Sequence, residues 1–270
     1  AGSITADLCT ELEEYLSGIS TPHVICNAGK HFSVGFDLNY FLAACEAGDM
    51  AAVDSGLVKL QKLCDMISQR PVVAAVHGYC LGAGLEIAMA CPLVVCHPEA
   101  NLGLPEIRVG LLPGGSGTSR LRYRAQPTVK EVGEAMRTLI TGAVSSNAEE
   151  GRKLHYLRST DIVHTHPDSF LMEAKRASIG VSGGGLPNIE TPEGPLVGIV
   201  DRTIDEVGQK PDWSGYDGVV AERIKFVLAH ADSWQRALDL EREHFIVLCQ
   251  NGLTKDRIQH MLNTGKPLRN

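Results

Sequence analysis

At about 150 residues per domain, 270 residues allow one large domain with an appendage and fall short of two average ones. Hydrophobic residues at 44% against 21% charged exclude global disorder, and no apolar run reaches the roughly 18 residues of a membrane span. With 32 acidic and 25 basic residues the net charge is −7, which argues against binding along a nucleic-acid backbone.

Leu8, Leu12, Tyr15 and Leu16 recur at helical spacing behind Thr5, a suitable N-cap, so the chain is expected to open on a helix. Ala1–Thr5 has neither a basic nor an apolar stretch, and no signal peptide is expected. Val24–Cys26 reads as a short buried strand, followed by the turn Asn27–Lys30. Val53, Leu57, Leu60, Cys64 and Ile67 mark a second long helix. Pro71–Val76 reads as a strand buried on both faces, and Pro92–Cys96 as a further strand. Between them the glycine turn Leu81–Gly84 leads into Leu85–Ala90. Strands alternating with helices at this spacing imply crossover units, hence an α/β fold.

The character changes after about residue 143. Gly180–Gly198 is rich in glycine and proline and reads as an ordered loop or linker. Val220, Ile224, Val227 and Leu228 then mark one helix, and Leu238, Phe245, Leu248 and Cys249 another. Ile258, Met261 and Leu262 mark a short last one. A helical C-terminal section therefore follows an α/β core.

The eight cysteines mostly sit in apolar segments and form no CxxC pair, so they read as reduced, mostly buried thiols of a cytoplasmic protein. No metal centre is expected, since His164 and His166 lack a nearby carboxylate or thiolate partner. Both nucleotide motifs fail. Gly110 and Gly115 have P-loop spacing but Ser116 stands where the lysine must be, and after Gly82-Ala83-Gly84 a third glycine is replaced by Ile87. Gly180-Val181-Ser182-Gly183-Gly184 matches the GxSxG of hydrolases, yet a helical segment precedes it and a loop follows. A flexible turn is the expectation there.

Glu86 and Glu106, twenty residues apart, are harder to dismiss as surface residues. Both have apolar neighbours, and each follows a glycine- or proline-bearing turn that would present it at a strand end. Ligands of open α/β sheets bind at strand ends. Two half-buried carboxylates facing one cleft suit general acid/base chemistry, because burial raises a carboxyl pKa toward neutrality.

The surrounding residues carry a resemblance. Ala74–Ala88, with Gly78, Gly82, Gly84 and Glu86 in place, is similar to the AxxxGxxxGxGxE segment of the crotonase (enoyl-CoA hydratase/isomerase) superfamily. Leu102–Leu121 resembles its second block, G-x-P-E followed by G-x-x-P-G-x-G-G-T-x-R-L, and Gly29–Leu38 its first oxyanion-hole segment. The three blocks, in the right order, span most of residues 1–180. Leu240–Glu243 and Arg257–Asn270 resemble the hydratase-like part of bacterial proteins that fuse a 3-hydroxyacyl-CoA dehydrogenase to a hydratase.

The resemblance implies a crotonase-like ββα spiral core over residues 1–180, a Gly/Pro-rich connection over 181–218, and a C-terminal helical trimerisation or cap region over 219–270. It implies enoyl-CoA hydration with Glu86 and Glu106 as the acid/base pair and the backbone amides of Phe36 and Ala83 as the oxyanion hole. Lys30, Ser33, Asp37, Leu38, Asn39, Gly82, Gly84 and Gly114 would contact substrate, Lys30 toward the nucleotide end of coenzyme A. No separate cofactor is implied, because coenzyme A is part of the acyl-CoA thioester. The expected partners are further copies of the chain, as a trimer or dimer of trimers, and a dehydrogenase; no nucleic acid or membrane is expected.

Three departures stand out. Phe36 replaces the commonest alanine, Ala83 replaces the usual glycine, and a strand pair that family members place before the first helix is not visible. The alternatives are an enoyl-CoA isomerase, which needs one carboxylate, and a catalytically silent CoA-binding or assembly module.

Overall fold

The computed structural model describes residues 2–125, 128–166, 169–189 and 194–270. A two-residue strand β1 (Ser3–Ile4) precedes helix α1 (Ala6–Ser17), whose N-cap is Thr5 as expected: its hydroxyl accepts the Leu8 amide at 3.1 Å. Tyr15 does not share the buried face. Cys9 and Leu16 hold that face, and Tyr15 is exposed.

The main sheet has four parallel strands in the order β2 (His23–Ile25), β4 (Val72–Val76), β6 (Leu93–Cys96) and β8 (Ile162–Val163). Every residue of β4 is buried, which is why its sequence is an unbroken apolar run rather than an alternation. Helix α8 (Phe170–Ser178) covers one face by packing Phe170 and Ala174 against Val73, Ala75 and Val95. Strand β2 is only half-buried and Cys26 beyond it is exposed, against the expectation of a buried strand. Its place at the end of the strand order explains the difference, since an end strand has a neighbour on one side alone.

A second, two-stranded parallel sheet joins β5 (Tyr79–Leu81) to β7 (Asn101–Gly103), and β3 (Gly35–Phe36) pairs with β1. The chain therefore repeats one unit. A strand in the main sheet is followed at once by a strand in the second, and then by a helical turn: β4, β5 and α4 (Ala83–Ala90), then β6, β7 and a 3₁₀ turn (Glu106–Val109). That repeat is the ββα pattern the resemblance implies.

Two compact units emerge. The first, made of residues 1–36, 59–104 and 144–187, holds the strands with α1, α4, α7 (Ala148–Lys153) and α8. The second, made of residues 37–58, 105–143 and 188–270, is helical. It contains α2 (Leu38–Ala47), the 3₁₀ turn, α5 (Gly117–Arg124), α6 (Val129–Thr141), α9 (Gly194–Gly208), α10 (Gly215–His230), α11 (Trp234–Cys249) and α12 (Gly252–Thr264). Helix α3 (Met50–Ser68) gives its first half to the second unit and the rest to the first, with Val53, Leu57, Leu60, Cys64 and Ile67 all buried as expected.

Helix α9 lies inside the stretch read as a Gly/Pro-rich connection, which is a correction. Tertiary packing overrides the local composition there: a Cβ on Gly133 of α6 would stand 2.9 Å from Ile199 Cγ1 of α9. The loop reading holds for 180–189, so Ser182 sits in no strand-to-helix elbow. His164 Nε2 lies 2.9 Å from Ser169 Oγ. All eight cysteines are free thiols and only Cys26 is exposed. Burial pushes the thiols of Cys9 and Cys96 up to about 12, which keeps them neutral and unreactive at physiological pH. Among the described residues no helix is long and apolar enough to cross a membrane.

Candidate active site

The first unit builds a junction around Gly82. The Ser33 amide donates to Tyr79 O and the Leu81 amide donates to Ser33 O, each at 3.0 Å, so the 33–36 segment runs beside β5. The Gly35 amide donates to Ser33 Oγ at 3.2 Å, and Gly35 adopts φ 103°, a backbone that L side chains rarely take. Gly82, at φ 52°, ends β5 and caps α4, its amide donating to Gly103 O at 2.9 Å. Phe36 and Ala83 thus lie on two adjacent stretches of backbone. As the first residue of a helix Ala83 has no intrahelical acceptor for its N–H, and the positive end of α4 lies there.

Gly84 shows how tight this junction is. A Cβ there would stand 2.3 Å from Ser33 Cβ, so only glycine lets α4 start against the 33–36 segment. Ser33 itself is buried and occupied in shaping the loop. Gly84→Ala should destabilise the protein by about 1–3 kcal/mol through overpacking. Calorimetry would read this as a lower Tm, and an unchanged Tm would mean that the contact yields.

Glu86 is one turn into α4 and 2% exposed, its amide bonded to Gly82 O at 3.0 Å. A carboxylate in the first turn of a helix gains from the macrodipole. Lys30 is exposed, in a turn where Gly29 N donates to Asn27 Oδ1 at 2.8 Å and His77 Nε2 lies 2.8 Å from Gly29 O.

The second unit holds Glu106, Gly114, Asp37, Leu38 and Asn39. Asp37 is the N-cap of α2, its Oδ1 accepting from Asn39 N at 3.0 Å and Asn39 Nδ2 at 2.9 Å. Leu38 is half-buried and Asn39 exposed. Glu106 opens the 3₁₀ turn directly after Pro105, half-buried with its Oε2 inside the protein. The Leu111 amide closes the turn on Glu106 O at 3.0 Å, and Gly110 ends it at φ 75°. Gly114 is buried where a Cβ would stand 2.8 Å from the ring of Phe245, so close packing already requires a glycine.

Leu81 and Gly103 are partners in the β5–β7 register, and Glu86 and Glu106 follow them within one short turn each. That equivalence explains why both carboxylates follow glycine- or proline-bearing turns.

Glu241 and Arg257 lay in segments quoted for their resemblance, without a role. Glu241 is fully buried and accepts Ser116 N, Ser119 N and Ser119 Oγ, each at 2.7 Å. It caps the N-terminus of α5, where Ser116 sits at φ 99°. Arg257 is also fully buried. Spacing could have found both. Glu241 falls on the stripe Trp234, Ala237, Leu238, Phe245, Leu248, and Arg257 beside Thr254 and Ile258, so each charge lies on a core-facing side.

The profile of one family, "Enoyl-CoA hydratase/isomerase", matches residues 2–152, more than half of the chain. The chain is 32% identical, over 92% of its length, to a "Probable 3-hydroxyacyl-CoA dehydrogenase" of Bacillus subtilis (strain 168). Over 62% of its length it is 36% identical to a "Peroxisomal fatty acid beta-oxidation multifunctional protein" of Arabidopsis thaliana. It spans 34% and 22% of the lengths of those two proteins. The crystal structure of an enoyl-CoA hydratase from Bacillus halodurans superposes with a TM-score of 0.65 at 19% identity, over 95% of this chain and 90% of that one. The fold is the crotonase fold, and the chain belongs to the enoyl-CoA hydratase/isomerase family.

Proposed function

We propose that this chain hydrates a 2-enoyl-CoA thioester to the 3-hydroxyacyl-CoA. The observation that carries the reading is the placement of one carboxylate, Glu86 or Glu106, a short turn beyond each of the paired ends of β5 and β7. Water adds through its oxygen to the β-carbon, and electron density moves to the thioester oxygen as an enolate. The amides of Phe36 and Ala83 stabilise that oxygen, each donor contributing a few kcal/mol, about 3. Glu86 holds and activates the water. Glu106 holds the same water and delivers the proton to the α-carbon, and transfer between the two carboxyl groups resets the pair. Coenzyme A arrives as part of the substrate, so the reaction calls for no further cofactor.

Exposed Lys30 would meet the nucleotide end of coenzyme A, and Ser33, Asp37, Leu38, Asn39, Gly82, Gly84 and Gly114 are the further substrate contacts of this reading. In this reading the bulky Phe36 would narrow or redirect the acyl pocket. Exposed Val219, Phe226, Val247, Leu253 and Leu262 on α10–α12 support contacts between copies, in a trimer or a dimer of trimers. The names of the relatives support fatty acid β-oxidation as the setting and a dehydrogenase as partner, and eight free thiols suit a cytoplasmic location.

Mixed with a short 2-enoyl-CoA, the protein should remove the near-ultraviolet absorbance of the conjugated thioester and release a 3-hydroxyacyl-CoA. Double-bond migration in a 3-enoyl-CoA without hydration would favour an isomerase. Neither reaction on short or long chains would leave a silent CoA-binding module.

A further inference from the structure

We infer that Arg257 of α12 is a positioning residue for Glu106, an inference that rests on the hydratase reading. A four-residue 3₁₀ turn has too few internal hydrogen bonds to fix a side chain well, and this one is held from outside. Arg257 Nη1 donates to Ile107 O, next to Glu106, at 3.0 Å. Thr254, one turn earlier on α12, donates its hydroxyl to Gly110 O at 2.9 Å, at the other end of the turn. Tyr216 OH lies 2.6 Å from Thr254 Oγ1; since that hydroxyl's one proton goes to Gly110 O, Tyr216 is the donor.

Burying a whole guanidinium is expensive, and the structure meets its donors. Arg257 Nη1 also donates to Asp217 Oδ1 at 2.7 Å, Nη2 to Ser214 Oγ at 2.7 Å, and Nε to Asn270 Oδ1 at 2.8 Å. Arg269 Nη1 reaches the second Asp217 oxygen at 3.0 Å. Asp217 and Ser214 form the capping box of α10. The fork therefore ties the Glu106 turn to the start of α10 with a geometry that a point charge cannot copy. Proton delivery depends on that rigidity, because a misplacement of about 1 Å can lower a rate about 10²-fold.

Arg257→Lys keeps a positive charge for Asp217 but cannot also reach Ile107 O and Ser214. It should lower kcat about 10- to 100-fold with KM within about twofold. Exchange of the Leu111 amide, which closes the turn on Glu106 O, should quicken at the same time. Thr254→Val removes the hydroxyl at similar volume and should quicken the same exchange, with a smaller fall in kcat. Arg269→Met removes the outer partner of Asp217 and should change neither reading. Unchanged Leu111 exchange in folded Arg257→Lys overturns the inference, as does an equal fall in kcat in Arg269→Met. If Arg257→Lys does not fold, Asn270→Ala, which takes away the acceptor of Arg257 Nε and loosens the fork, decides by the same two readings. An inactive wild type would sink the hydratase reading, while amide exchange would still decide whether Arg257 holds the turn.

Discussion

Glu106→Gln should lower turnover of a 2-enoyl-CoA by about 10²–10⁴-fold, the range contributed by one positioned general acid/base. The amide keeps the shape of the side chain in its half-buried place after Pro105 but has no acidic proton to deliver to the α-carbon. Binding of coenzyme A, measured by calorimetry, should be unchanged, because its contacts do not depend on that proton. Glu86→Gln should fall steeply as well, since its amide cannot accept a proton from water. Its outcome separates two chemistries. Loss of hydration together with retained migration of a 3-enoyl double bond would assign the chain to isomerisation through Glu106 alone. Full activity in Glu106→Gln would sink the two-carboxylate mechanism, whichever reaction is catalysed.

The elements legible in the sequence were those in which one local signal dominates. Val72–Val76 is β-branched and alanine-rich throughout because it lies mid-sheet with both faces buried, and no polar residue interrupts the pattern. Thr5 announces α1 by chemistry that needs no tertiary partner. The placement of Glu86 and Glu106 was legible too: the apolar neighbours of Glu86 foretold its burial, and Pro105 the turn that carries half-buried Glu106.

Other features depend on distant residues. Helix α6 carries its own signals, Thr128 as N-cap and Gly142 in the left-handed conformation at its end, yet its buried stripe includes Gly133, which makes sense only against Ile199 of α9. Helix α9 itself is hidden by the glycines and prolines before it. Spacing puts Arg257 and Glu241 on core-facing sides, but what makes a buried charge tolerable there lies mostly in partners 40 to 150 positions away.

Glu241→Ala should be among the most destabilising single substitutions in the chain. Its carboxylate accepts two backbone N–H groups, Ser116 through Oε2 and Ser119 through Oε1, and the Ser119 hydroxyl as well, all inside the protein. Alanine leaves those donors buried with that acceptor gone, at about 1–3 kcal/mol for each orphaned group. It also releases Ser116, whose φ of 99° is unfavourable for a residue with a Cβ and is held there by the same carboxylate. The family pattern places glycine at this position, and serine in its stead makes the hold more necessary. For two backbone amides the loss is about 2–6 kcal/mol, which lowers Tm on the order of 10 °C. Glu241→Gln should fall between wild type and alanine: it has one acceptor oxygen for two N–H groups, so an NH₂ must face the other. Calorimetry on the three proteins checks the order. A glutamine variant as stable as wild type would show that one of the two amides needs no carboxylate oxygen, and the cap would then rest on a single hydrogen bond.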